Sequence, residues 1–553
     1  MLDALGQGSG ADPLKRILVL GGYGTFGGRI ALRAAAAGFE VLVAGRDAAK
    51  ARAFCAGRER LVPIVVDRDA GLADALRRLD PFALVDAAGP FQGERHDVAK
   101  AAIAAGVHYL DIADGRHFVT GITALDDAAQ AAGVVVISGA SSLPALSGAA
   151  VSRLAEGLDR VDAVEIVLSA SSRGTAGVSV AAAILSYLGR PVRLWRGRRW
   201  TSGFGWQALR REDFRVAGVR PLRRRLVGIA DVPDLDLLPA RLPGRPAVDF
   251  LAGTDVRLHM LGLWLLSWAV RWRWLESASM LTPVMVRLHG WTRWTSSLRS
   301  AFEVRLYGRS GQRRVARSWT LIAEQGEGPE IPSLAAAILL ERLEALPPGA
   351  RDAGGVLRLE DFDASLGSLA TSSETRESLL PPPVYAHVMA EAFDTLAPSL
   401  RELHGVLRNG GGAGRARVVR GRNPLARLVA RLFRFPAEGE HPLHVELTEC
   451  KGLETWIRDF GGRRFQSNLY ARGGLLVERF GLLRFGFALP TDGTGGLAMV
   501  MRRWWLGPVR LPLTIAPRAP AREWEEDGRF HFDVSIALPL IGLVVAYRGW
   551  LNV

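Results

Sequence analysis

Along the first 150 residues, short apolar runs alternate with amphipathic stretches. Residues 17–20 (Ile-Leu-Val-Leu), preceded by Lys15-Arg16 and closed by glycines, read as a buried strand. Residues 40–44, 62–66, 83–88, 109–112 and 134–138 repeat that run, and residues 31–37, 47–56, 71–79, 98–105 and 124–132 between them carry helical spacing. Such β-α-β alternation predicts a Rossmann-type, doubly wound parallel sheet with helices on both faces, assigned to residues 1–150. Beyond it the pattern changes. Residues 161–170 read as a strand and 178–188 as a helix. Residues 302–307 and 318–323 form a hairpin about a polar turn at 309–312, and 333–346 a helix. This predicts an α+β domain over 151–380, ended by a linker of Ser, Thr and Glu at 371–378 followed by Pro381-Pro382-Pro383. The last stretch, 381–553, starts helical at 384–407. Then Phe530, Phe532, Val534, Ile536 and Leu538 alternate with polar or small residues, and turns recur at Gly461-Gly462, Gly473-Gly474 and Asp492-Gly493. That period of two predicts a β-rich domain, an antiparallel barrel or half-barrel.

Length and charge refine this picture. A chain of 553 residues exceeds one hydrophobic core, so several domains are required. The net charge of +14 is carried almost wholly by arginine, the lysines being Lys15, Lys50, Lys100 and Lys451. The excess is diffuse and comes with no aromatic–basic module, so nucleic acid is not an expected partner. Two distant cysteines, Cys55 and Cys450, argue against a disulfide framework or structural zinc, and the N-terminal residues lack the pattern of a secretory signal. A cytoplasmic protein is expected. Residues 258–270 carry no charge, but as a helix they would reach only about 20 Å against a hydrocarbon core of ~30 Å. With Trp264, Trp268, Trp272 and Trp274 interleaved with Arg271 and Arg273, segment 258–275 suits peripheral contact with a membrane interface. A buried helix or the wall of a substrate pocket is the competing reading.

Gly22-Tyr23-Gly24-Thr25-Phe26-Gly27 is a GxGxxG between the first strand and the first helix. The first glycine permits the tight turn, the second lets the backbone approach a pyrophosphate, and Gly27 allows close helix–strand packing. Cofactor choice falls to the end of the second strand, where an acid would hold the ribose 2′-OH of NAD. The sequence there is Val43-Ala44-Gly45-Arg46, and a guanidinium suits a 2′-phosphate, so NADP is expected ahead of NAD. Asp47 reads as a helix N-cap and keeps NAD open. Asp67 can touch the adenine amino group or serve an ordinary turn.

Gly21 to Gly27, Ala88-Gly89-Pro90-Phe91, Tyr109-Leu110-Asp111, Ser141-Ser142-Leu143-Pro144 and Arg173-Gly174-Thr175 together resemble the saccharopine dehydrogenase-like family, over roughly residues 14–365. The resemblance implies an NAD(P)-binding domain followed by an α+β domain that completes the cleft and often mediates dimerisation. It implies that Gly89, Pro90 and Phe91 run along the nicotinamide side, with Asp111 and Ser141 bordering the cleft. The family's reactions span reductive amine formation and lipid enoyl reduction, so the substrate is left open. Residues 454–460, 465–467, 478–481, 539–542 and 547–551 resemble the bacterial domain of unknown function 4166, which carries no activity. A small barrel with an apolar lining would suit a hydrophobic ligand, and a packed structural barrel is the alternative. Arg458, Glu478 and Arg548 are candidates for an internal ion-pair network or a ligand anchor.

Hydride transfer to C=C, C=N or C=O needs one proton donor near the receiving atom. Tyr109, Asp111, Asp114 and His117, around and after the fifth strand, are the candidates: Tyr109 or His117 as donor, Asp111 to orient it. His259, His289, His404 and His444 lack metal-ligand spacing. The expected activity is an NADP-dependent oxidoreductase acting on a bulky or lipid-like small molecule. A non-catalytic NADP- or lipid-binding protein and a saccharopine-type amino-acid dehydrogenase are the alternatives.

Overall fold

The computed structural model describes residues 14–173 and 178–553. Gly174 and Thr175 of the family-like Arg-Gly-Thr triplet lie outside them. The first domain is built on six strands: β1 (Arg16–Leu20), β2 (Glu40–Gly45), β3 (Leu61–Val65), β4 (Ala83–Asp86), β5 (His108–Asp111) and β6 (Val135–Ser138). All pair in parallel in the order β6-β5-β4-β1-β2-β3. The apolar runs are buried because helices cover both faces: α1 (Gly27–Ala36) follows β1 and α2 (Ala48–Cys55) follows β2. The winding reverses between β1 and β4, and in open α/β sheets ligands bind at that switch point. One feature departs from the expected division of the chain. A seventh parallel strand, Gly349–Asp352, joins β6 from the far end of the middle region.

The middle sheet has seven strands in the order Arg210–Phe214, Leu222–Ile229, Ala247–Thr254, Arg160–Ala170, Ser300–Ser310, Arg313–Ala323 and Thr371–Leu379. Only the pair formed by Ala247–Thr254 and Arg160–Ala170 is parallel. The Ser/Thr/Glu stretch expected as a linker is thus the sheet's edge strand. Its exposed polar residues suit an edge, which must not invite further pairing. The connection proper is the proline run that follows.

The last domain opens with the helix expected over 384–407, but in pieces: Val384–Met389, a tighter turn at Ala390–Thr395, and Pro398–His404. Pro398 can start a helix but cannot continue one, since it has no N–H to give. Ten antiparallel strands then close on themselves, from Asn409–Arg420 to Gly542–Asn552. The closing pair is Leu483–Ala488 with Leu497–Leu506, and short strand Val509–Leu511 adds to the latter. Phe530 and Phe532 of strand Arg529–Leu538 face the interior as their alternation demands.

Candidate functional site

The glycine motif forms the elbow from β1 into α1. Gly21 takes φ +70°, a conformation that suits glycine, and its missing Cβ leaves room for Ala87 and Ala88 at the end of β4. A Cβ on Gly27 would stand 2.3 Å from the Gly21 carbonyl oxygen, and one on Gly22 2.8 Å from that of Val19. Gly22 and Gly27 are buried, whereas Gly24 and Thr25 lie exposed on the crest with Phe26 at the helix N-cap. The first turn of a helix has N–H groups without intrahelical partners, so this crest is an anion cradle.

Tyr23 turns sideways to the end of β2. Its hydroxyl accepts the Asp47 N–H at 3.0 Å, and its ring lies where a Cβ on Gly45 would be, 2.5 Å away. No side chain fits at Gly45 while Tyr23 rests there, which accounts for the missing acid at the strand tip. Arg46, next in sequence, is exposed and forms no hydrogen bond or ion pair among the described residues. Asp47 caps α2, accepting from Ala49 and Lys50 N–H at 3.0 Å each. Asp67 spends one oxygen on the Asp69 N–H, an ordinary turn. Arg68, which the sequence reading passed over, donates to the Ala88 carbonyl at 2.6 Å and pairs with Glu94 at 2.7 Å, so it fixes the segment that leads into Gly89.

Gly89 and Pro90 continue from β4 beside the glycine elbow, with Pro90 exposed. Phe91 instead turns inward, its ring 5.3 Å from that of Phe118. It packs the loop and does not line a site. Tyr109 and Asp111 are likewise corrected. Both are 0 % exposed, set in and at the end of β5. Burial, with the Asp111 and Asp86 charges, pushes the Tyr109 phenol well above its ordinary pKa. One Asp111 oxygen accepts from Ala113 N–H at 2.9 Å, Gly139 N–H at 2.8 Å and Ser138 Oγ at 3.0 Å. Burial outweighs these bonds and lifts its carboxyl to about 7. Both side chains are enclosed by protein, and Asp111 ties together the loops after β5 and β6. Ser141 sits half-buried just beyond that tie.

The groups that do meet at the cleft come from both domains. Asp114 faces solvent but is walled by protein, which raises its carboxyl despite a 2.8 Å hydrogen bond from Gln92. Across from it stands Tyr187, at the end of helix Val178–Ser186, with its ring stacked on buried Trp206 at 6.5 Å. Burial first, then the Asp114 and Asp231 charges, keep the Tyr187 phenol protonated far above the usual range. His117 is exposed and forms no hydrogen bond or ion pair among the described residues. Beside it, buried Arg116 locks the domains together, donating to Asp231 at 2.9 Å and to both Asp236 oxygens. Asp114 was among the sequence candidates. Nothing in the local pattern of the second domain marked Tyr187 or Trp206.

A parallel sheet wound 3-2-1-4-5-6, with a glycine cradle at its reversal, defines a dinucleotide-binding Rossmann domain. Within that class, residues 17–137 match the saccharopine dehydrogenase NADP binding domain, and residues 396–551 match the domain of unknown function DUF4166. The chain is a fusion of the two. A dehydrogenase-type NADP-binding domain equips it, in general terms, as an NAD(P)-dependent oxidoreductase. Among solved structures it is similar to GenD2 from gentamicin A biosynthesis in complex with NAD, at 14% identity over 68% of this chain and 100% of that one, with a TM-score of 0.31. It is also similar to the Bordetella bronchiseptica enzyme WbmG in complex with NAD, at 26% identity over 18% of this chain and 37% of that one, with a TM-score of 0.16. WbmH of the same organism, with NAD+, is 18% identical over 18% and 38% of the two chains, with a TM-score of 0.16. The chain thus spans less than half the length of WbmG and WbmH. No curated protein matches it.

Proposed function

We propose that the protein is an NADP-dependent reductase of a lipid-like substrate, working at a membrane surface. When bound, the coenzyme supplies a hydride from C4 of its nicotinamide to a C=C, C=N or C=O carbon. Arg46 would hold the 2′-phosphate, since it is free of carboxylates and Gly45 leaves no acid to hold a 2′-OH. The neighbouring substrate atom takes its proton from the Tyr187 hydroxyl, the phenol that the middle domain places by Asp114 and Trp206. His117, on the rim, is the remaining sequence candidate for the same role.

The observation that carries the lipid reading is a pair of successive helices, Arg257–Arg271 and Thr282–Thr292. Met260, Leu263, Ser267 and Val270 form the buried face of the first helix. Its other face, the second helix and the turns after each present Leu258, Leu265, Trp272, Trp274, Trp291 and Trp294 to solvent, each at least 55 % exposed. An apolar patch of this size, with Arg257, Arg271, Arg273 and Arg287 exposed among the tryptophans, suits an anionic lipid interface. Among the described residues no helix is long and apolar enough to cross a membrane. The first helix roots beside Trp206, because Trp264 Nε1 donates to the Gln207 carbonyl at 3.1 Å. The amino-acid dehydrogenase reading is disfavoured there: Arg116 and Arg193 both spend their charge on Asp236, leaving neither for a substrate carboxylate.

Two measurements test this. Flotation with vesicles containing phosphatidylglycerol should carry the protein up, and Trp291→Ala with Trp294→Ala should abolish it; sedimentation of wild type and variant alike refutes the membrane part. NADPH oxidation against enoyl and carbonyl lipids in those vesicles should fall at least tenfold in kcat for Tyr187→Phe with NADPH affinity unchanged. Absence of NADPH binding refutes the whole reading.

A further inference from the structure

The barrel of the last domain has an interior space of its own. Its interior holds a cavity of about 160 Å³. An eight-stranded barrel is just filled by its own side chains or holds one small ligand, and ten strands enclose more. Here aromatic side chains, among them Phe433, Phe460, Phe487, Phe530 and Phe532, line the space without filling it. Pro517 and Ala519, on the half-exposed segment before strand Ala521–Glu526, border it, so the cavity extends to the barrel rim.

The wall carries a compact polar group. Arg458 donates to Ser467 Oγ at 2.9 Å and pairs with Glu478 at 3.2 Å, and Glu523 meets the fully buried His404 at 2.7 Å. Arg548, a candidate for this network from the sequence, is instead exposed, its guanidinium over the Trp524 ring. Arg458, the one cation of the lining, is thus already matched by Glu478, and Glu523 is engaged by His404. An anionic headgroup entering here would find carboxylates and no unmatched cation in a poorly solvated space, which is unfavourable. A hydroxyl or carbonyl would find donors on Arg458 and acceptors on Glu478 with no such penalty.

We infer that the barrel binds a neutral lipophile: a hydrocarbon or polyene body in the aromatic cavity, with a hydroxyl or carbonyl at the Arg458–Glu478 pair. This does not rest on the reductase reading, since the barrel and the glycine cradle lie in different domains. The test uses the full chain with retinol and retinoic acid, which share one polyene body and differ in headgroup charge. Retinol fluorescence should rise saturably at one equivalent, with retinoic acid at least tenfold weaker. Ala521→Phe and Val534→Phe, which place a ring in the cavity, should each weaken retinol at least tenfold while NADPH binding stays as in wild type. Hydrogen exchange on the wild type locates the ligand without any variant, with protection expected in strands Arg529–Leu538 and Gly542–Asn552. No saturable retinol binding, equal binding of retinoic acid, unweakened binding by the two variants when folded, or protection confined to helices Arg257–Arg271 and Thr282–Thr292 each overturns the inference.

Discussion

Replacing Asp111 by asparagine isolates one buried carboxyl in the Rossmann domain. In the fold this carboxyl titrates at about 7, against ~3.9 in an unfolded chain. Between those values the folded state keeps a proton that the unfolded state releases, so stability falls as pH rises from ~4 to ~7 and is flat above. Three units at ~1.4 kcal/mol each give a total of about 4 kcal/mol, of which about 2 kcal/mol is lost between pH 5 and 7. For a domain of ~150 residues this is roughly 4–8 °C in its melting midpoint. Asp111→Asn keeps an oxygen for Ala113, Gly139 and Ser138 but has nothing to ionise. Any fixed cost of the new amide is the same at every pH. Asp86, also buried and raised, gives both proteins a residual slope of the same sign. The assay is differential scanning calorimetry of the coenzyme-free protein from pH 5 to 8. The wild-type midpoint should drop relative to the variant by several degrees across that range, and parallel curves refute the assignment.

Gly27→Ala puts a Cβ 2.3 Å from the Gly21 carbonyl, whereas Gly24→Ala meets the same atom at 3.0 Å. NADPH fluorescence titration should show at least a tenfold loss for the first and a smaller one for the second; the reverse order is incompatible with the elbow described. Arg46→Ala removes a charge-assisted contact of about 1.5–3 kcal/mol, so NADPH should weaken roughly 10–100-fold while NADH stays within about twofold. Equal losses for both would remove the guanidinium from 2′-phosphate recognition. Glu165 is buried among Arg210, Arg408 and Arg305; burial acts to raise its carboxyl, but the three guanidinium groups together hold it at about 2. Glu165→Leu strands them and should cost about 3–5 kcal/mol in urea unfolding, and a loss under ~1 kcal/mol would mean the cluster relaxes into solvent.

What could be read from the sequence was what is local. The strands of the first domain announce themselves because all but the edge strand β3 are buried on both faces, so their apolar runs need no partner to be recognised. The glycine elbow is equally local, a turn whose missing side chains are dictated within a few residues. The barrel's first strand, Asn409–Arg420, is the opposite case. Its Asn-Gly-Gly-Gly-Ala-Gly start reads as loop, yet Gly414 is required because a Cβ there would stand 1.9 Å from the Trp550 carbonyl oxygen. That contact joins residues more than a hundred positions apart and has no trace nearby. Strand Gly349–Asp352 escaped for the same reason, being too short to carry a period. Tyr109 and Asp111 were misread because the end of a strand fixes a residue's height on the sheet and not whether its side chain reaches solvent. Asp114 and Tyr187 meet only after two domains dock.

The arginine excess, which in sequence is merely diffuse, has a structural use. Arg116 reaches from the first domain to Asp231 and Asp236, Arg241 returns from the middle region to Asp352 on the first sheet, and Arg29 and Arg33 share Glu330. Between the middle sheet and the barrel domain, Arg160 pairs with Glu402 and Arg408 with Glu165. A planar guanidinium can grip both carboxylate oxygens and remains charged when buried, which lysine does less readily. These bridges cross domain boundaries at carboxylates that would otherwise be stranded when the surfaces close, so they add orientation more than net stability. The Arg116 clamp thus fixes how the loop after β5, with Asp114 on it, meets the middle domain, an arrangement that neither the glycine fold nor the middle sheet contains alone.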